Sequence, residues 1–211
     1  MPASLIHLVR HGEVFNPDGI LYGRIRGFGL SELGHRMAAA AAESLAGREI
    51  SALYASPLQR AQESAAPWAQ NFGLDIVTEE RIIEPTNAFE GSAKMGPAVV
   101  FAPRSWKYLV NPFRPSWGEA FTSVEARMLA AVDDAYTSVV GGEVVMVSHQ
   151  MPIVMVARSV KGMKLWHDPR KRRCALSSIT TLAREGDRFV EVDYQEPARD
   201  LAANSIDSGA V

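Results

Sequence analysis

The chain has 211 residues, enough to bury a good-sized core in one compact α/β domain and short for two independent ones. With 47% hydrophobic and 22% charged residues, a formal net charge of −2 and a pI near 6.2, it shows no bias toward nucleic acid or a membrane surface. A single cysteine, Cys174, excludes an intrachain disulfide framework and a cysteine zinc cluster, and fits a reducing compartment, with the cytoplasm as the default.

Leu5 to Val9 reads as a short buried strand whose apolar run is broken by His7 and Arg10, so it resembles neither a signal peptide nor a membrane span. Leu30-Ser31-Glu32 opens an Ala-rich helix through Leu45, with Ser31 as N-cap and Gly47 past its end. Ser51 to Ala55 is a second strand. "SPLQRAQESAAPWAQ" follows as a helix, with Pro57 near the first turn and Pro67 bending or stopping it. Leu74 to Thr78 is a third strand. From Glu79 to about Ser123 no clean period survives, and Pro85, Pro97, Pro103, Pro112 and Pro115 mark an inserted, loop-rich lobe. Its aromatic residues Phe101, Trp106, Tyr108, Phe113 and Trp117 pack either in a small core of the lobe or against a ligand.

Val124 to Val139 is helical, Gly141-Gly142 turns the chain into a strand at Val144 to Val147, and Pro152 to Val160 forms another helix. Leu176 to Ala183 and Phe189 to Tyr194 form a hairpin across Glu185-Gly186-Asp187. The expected organisation is one domain over 1–195, a lobe at about 79–123 and a flexible C-terminal tail over 196–211. Strands alternating with helices predict an α/β fold, a mainly parallel sheet flanked by helices on both faces. Ligands of such sheets collect at the carboxyl ends of the strands.

Three strand ends carry reactive groups. The first stops on Arg10-His11, the second on Ser56 with Arg60 one helical turn on, and the fourth on Ser148-His149. A lone Arg-His pair is ordinarily a surface ion pair and a polar strand end, but its recurrence at another strand end reverses that reading. Arg60 also has Glu63 as an i,i+3 partner, and His149 also suits the start of a helix. Arginine forks match phosphoryl oxygens, and a neutral imidazole attacks phosphorus. Zinc ranks well behind: the chain lacks H-E-x-x-H, and adjacent arginines repel a divalent cation.

"LVRHGE", "SPLQRAQESA" and "VVMVSHQMPI", in this order, resemble the histidine phosphatase superfamily, the phosphoglycerate-mutase-like fold, over about Leu5 to Leu182. The resemblance implies that His11 accepts the phosphoryl group, that Arg10, Arg60 and His149 complete the phosphate pocket, and that Asn16 adds an amide donor. It also implies a proton donor after the third strand, where "RIIEPTNAFEG" offers Glu84 first and Glu90 second, with Glu13 a third option. The Glu84 to Glu90 spacing is one residue shorter than the family pattern, and Gln150 stands where a glycine often follows the second histidine.

"LYGRIRGFGLSELG" resembles the family's connector, whose Arg24 and Arg26 reach the substrate or face water. Trp106, Trp117 and the basic run Arg170 to Arg173 are candidates for selectivity, with core packing and a solvated loop as the plain alternatives. The implied activity is hydrolysis of a small-molecule phosphomonoester without a cofactor or metal. The alternatives are mutase-type phosphoryl transfer and non-catalytic binding of a phospho-ligand. Mutases of this superfamily show an E-R-H-Y-G-like segment where this chain reads "EPTNAFEG", which favours the phosphatase.

Overall fold

The computed structural model describes residues 1–92, 118–203 and 205. Strands β1 (Leu5–Arg10), β2 (Ile50–Ala55), β3 (Ile76–Thr78), β4 (Glu143–Ser148), β5 (Ile179–Glu185) and β6 (Arg188–Gln195) form one sheet in the order β3-β2-β4-β1-β5-β6. The first four run parallel, and β5 and β6 add an antiparallel hairpin beside β1. The sheet is therefore mixed, with the parallel part carrying the reactive strand ends.

Helices α1 (Glu32–Ser44) and α2 (Gln59–Phe72) cover one face, and α3 (Phe121–Thr137) and α4 (Gln150–Val160) the other. Alternation within the strands divides the core accordingly. Val144 and Met146 join Val124, Met128, Val132 and Met155, whereas Val145 and Val147 join Ala41, Ala61, Ala65 and Trp68. Among the described residues no helix is long and apolar enough to cross a membrane.

Several boundaries move from the sequence expectation. Helix α2 starts at Gln59 and passes through Pro67 to Phe72, because the fully buried Trp68 anchors its second half in the core. Helix α4 starts at Gln150, two residues before Pro152, so His149 is its N-cap residue. Strand β5 starts at Ile179, which leaves Leu176, Ser177 and Ser178 to turn against the end of β1. Beyond β6, where fraying is expected, Ala198 is buried against Met37 and Leu176, and α5 (Arg199–Ala202) follows. The expected lobe falls mainly outside the described residues, Phe101, Trp106, Tyr108, Phe113 and Trp117 included.

The loop after β1 is locked onto α1 by a backbone contact that only glycine permits. A Cβ on Gly12 would lie 2.4 Å from the Gly34 carbonyl oxygen, and one on Gly34 would lie 2.0 Å from that of Glu13. Ser31 caps the helix by accepting from the Gly34 N–H, while its own hydroxyl donates to the Glu13 carboxylate.

Candidate active site

Strand β4 lies between β2 and β1, so the three reactive strand ends are neighbours at the carboxyl edge of the sheet. Arg10 is paired in register with Ser148, the His11 N–H donates to the Ser148 carbonyl at 3.1 Å, and the Ser56 N–H donates to Val147 at 3.0 Å. Parallel pairing thereby turns residues far apart in sequence into one cluster. The imidazoles of His11 and His149 have centroids 5.2 Å apart.

Each side chain is held from behind. His11 Nδ1 lies 2.8 Å from the Gly12 carbonyl, which can only accept, so Nδ1 carries the proton and Nε2 keeps its lone pair. Gly12 is itself fixed through its N–H to Ser64 Oγ, whose hydroxyl bonds back to Arg60. Arg10 donates to the Cys174 carbonyl at 2.7 Å. Arg60 donates to the Gly23 carbonyl at 2.7 Å and lies 4.7 Å over the Tyr22 ring, while its Nε has no hydrogen-bond partner among the described residues. His149 Nε2 meets Ser56 Oγ at 2.7 Å, and Ser148 Oγ donates to the Ile82 carbonyl, tying β4 to the segment that carries Glu84.

Glu84 is the one of the three candidate carboxylates that turns toward this cluster. Its Oε2 lies 3.8 Å from His149 Nδ1, and its Oε1 has no hydrogen-bond partner among the described residues. Glu13 is engaged with Ser31 at the start of α1. Glu90 accepts from the backbone N–H groups of Arg24 and Asn87, packed so closely on Gly23 that a Cβ there would sit 2.2 Å from its oxygen. That packing orients the Gly23 carbonyl toward Arg60.

The electrostatics follow from burial among cations. Arg10 and Arg60 are 0% and 1% exposed. Burial, then Arg60 and Arg10, hold His11 well below the usual imidazole range, and burial with Arg60 does the same to His149. Burial pushes the Glu84 carboxyl up, against the opposing pull of Arg60, Arg172, Arg10 and Arg127. Two imidazoles held below their usual range, two buried guanidiniums and a carboxyl of raised proton affinity thus form one buried cluster.

The other expected residues make further contacts. Asn16 closes its own loop, donating to the Ile20 carbonyl and accepting from the Ile20 N–H. Arg24 donates through Nε to the Glu84 carbonyl and reaches Glu119 at 3.4 Å, so it braces the segment bearing Glu84. With Arg26, Pro57, Gln59, Glu80 and Ile83 it also lines a cleft of about 620 Å³ bounded by the neighbours of Ser56 and Glu84. Trp117 lies outside the described residues. His7 and His11 share an H-x-x-x-H spacing, but His7 is bonded to Thr181 and Glu143. Among the described residues no group of three or more His, Cys, Asp or Glu is placed to hold a metal ion.

Two contributors are not singled out by the sequence. Ser177, buried and at φ 54°, donates its N–H to the His11 carbonyl, and a non-glycine residue in that region costs about 1–2 kcal/mol. Arg172 binds Gln150 Oε1 at 3.1 Å, beside His149, and its charge acts on Glu84 and Arg10. The basic run at Arg170 to Arg173 signals Arg172 only as one of several cations; nothing in the sequence marks Ser177.

Residues 6–197 match the histidine phosphatase superfamily (branch 1). A Mycobacterium tuberculosis protein, "Uncharacterized protein Rv0525", is 52% identical over 195 residues, 92% of this chain and 96% of its own. "Probable phosphoglycerate mutase GpmB" of Yersinia pestis is 30% identical over 200 residues, covering 90% of this chain and 85% of its own. The structure of phosphoserine phosphatase from Entamoeba histolytica in complex with 3-phosphoglyceric acid superposes with a TM-score of 0.74 over 90% of this chain and 96% of that one. At 21% identity it shows a shared fold. The strand-end cluster, the sequence match and the common architecture agree, and the chain belongs to branch 1 of the histidine phosphatase superfamily.

Proposed function

We propose that this protein is a phosphomonoester hydrolase acting through a phosphohistidine at His11 on a small phosphorylated metabolite, in a cytoplasmic setting. The observation that carries the reading is the buried Arg60 guanidinium, its Nε without a hydrogen-bond partner among the described residues, beside the His11 imidazole whose Nδ1 is held by the Gly12 carbonyl, since a buried cation with an unused donor favours an anion. In the first step the His11 Nε2 lone pair attacks phosphorus, the bond from phosphorus to the ester oxygen breaks, and the Glu84 proton passes to that oxygen. Arg10, Arg60 and His149 hold the remaining phosphoryl oxygens. In the second step water attacks phosphorus and yields a proton to Glu84 as the bond to Nε2 breaks. Inorganic phosphate then leaves.

The raised proton affinity of Glu84 supports its starting as the acid. Retention of both His11 and Glu84 favours turnover over simple binding, and "EPTNAFEG" favours hydrolysis over mutase-type transfer. The test is a metabolite panel with p-nitrophenyl phosphate as reference, run in EDTA, with acid-labile phosphate on the protein trapped by rapid quenching. Phosphate release together with labelled His11 is expected. No label and no release would reject the reading, and isomerisation of 3-phosphoglycerate without release would replace it with the mutase.

A further inference from the structure

A second concave site lies on the outer side of α4, behind Arg172. It holds about 320 Å³, and Val154, Ala157 and Met163 are its apolar lining residues. Its wall is formed by Arg158, Lys161, His167, Lys171, Arg172 and Arg173, with no carboxylate among the lining residues. The chain as a whole carries a net charge of −2, so five permanent cations around one hollow are a local arrangement that composition does not produce.

Helix geometry accounts for part of it. Arg158 and Lys161 sit at the C-terminal end of α4, where cations suit the helix dipole. Lys171, Arg172 and Arg173 arrive from a separate segment and close the hollow from the other side. Among the described residues two carboxylates pair with cations of this region. Glu191 is shared between Lys161 at 2.9 Å and Arg173, and Asp168 is taken by Arg170. Arg158 donates to the carbonyls of Lys164 and Trp166, which fix its fork without neutralising it, and Lys171 forms no ion pair among the described residues.

His167 is tied into the same wall. Its Nδ1 faces the Leu165 carbonyl, so its Nε2 is the acceptor for Arg172 Nε at 2.9 Å. Several fixed cations around one hollow suit an anion with more than one charged centre.

We propose that this groove binds the oligophosphate group of a small molecule, at a site separate from His11 and joined to it through Arg172. Arg172 faces both: it lines the groove, and its hydrogen bond to Gln150 reaches the residue next to His149. The groove and the catalytic cluster therefore share one guanidinium.

The probe is inorganic tripolyphosphate, titrated calorimetrically into the full chain in saturating orthovanadate, which occupies the His11 pocket. One vanadate-insensitive site is expected, weakening as salt rises and at least tenfold weaker in Lys161→Gln/Lys171→Gln. That variant should hydrolyse p-nitrophenyl phosphate normally, which also shows that it folds.

Two sources of oligophosphate are separable. A free effector makes tripolyphosphate alter p-nitrophenyl phosphate turnover without competing for the ester. The far end of a substrate leaves that turnover unaltered, and the double variant then raises KM for nucleoside triphosphates alone. No binding in vanadate, or equal binding by the double variant, overturns the proposal. Because binding is read by heat, a chain that binds tripolyphosphate but releases no phosphate would reject the hydrolase reading and leave this one intact.

Discussion

His7 and His11 lie four residues apart on the same stretch of chain and are equally buried, at 2% exposure each, yet their surroundings are opposite. His7 Nδ1 meets Thr181 and its Nε2 meets Glu143, whose carboxylate is also gripped by both arms of Arg48. Each polar atom of that imidazole is used inside the fold. His11 has one nitrogen on the Gly12 carbonyl and the other left with its lone pair beside two guanidiniums. Burial is therefore common to a structural and a chemical histidine. What separates them is whether the neighbours bond both ring nitrogens or leave one beside buried cations.

The sharpest way to break this comparison is to truncate both rings. His11→Ala should lower phosphomonoester turnover by about 10³-fold or more with little change in thermal midpoint. His7→Ala should keep turnover and destabilise the fold by about 1–3 kcal/mol, because Thr181 and Glu143 lose a buried partner. Steady-state kinetics and denaturant titration of the two variants check this, and loss of activity in both would erase the distinction.

Glu84→Gln should cost about 10²–10⁴-fold on alkyl phosphates and far less on p-nitrophenyl phosphate, whose leaving group needs no proton. Its pH profile adds a second reading. Burial raises Glu84 above the ordinary 4.5, so alkyl phosphate turnover falls as pH rises through that raised value. The acidic limb lies well below 6.5, since His11 stays neutral there. Equal losses on both ester types would reassign the acid.

Arg60→Ala should reduce kcat/KM by about 10²–10³-fold, and Arg48→Ala, on the His7 side, should leave it unchanged. The smallest effect is on stability against pH. His7, His11 and His149 all hold folded-state values below 6.5, so the unfolded chain takes up protons that the folded chain refuses. Stability is full above about 6.5 and declines as pH falls through and below it. His7→Gln should flatten part of that decline in thermal melts between pH 7 and 5.

Arg10, His11, Arg60 and His149 were legible because each stands at a fixed offset from an apolar strand, and parallel strands put such offsets on one edge. Glu84 was legible only as one of three carboxylates. Distinguishing it needed the partners of the other two, since Ser31 engages Glu13 and the Arg24 and Asn87 N–H groups engage Glu90. Asn16 and Arg24 were legible as donors, and the structure adds that Asn16 bonds the Ile20 carbonyl and Arg24 the Glu84 carbonyl. Pro67 read as a bend or a stop because a missing N–H is a local penalty; the helix runs through it to Phe72, with Trp68 buried beyond it.

By itself the sequence determined the strand and helix order, the two-faced sheet and the chemistry gathered at its carboxyl edge, because hydrophobic period and strand-end residues are local properties of the chain. Only the tertiary structure decided which imidazole is satisfied and which is not, which carboxyl faces the cluster, and that Ser177 and Arg172 support it. Those outcomes depend on partners distant in sequence and on the loss of water around them, which no local pattern records.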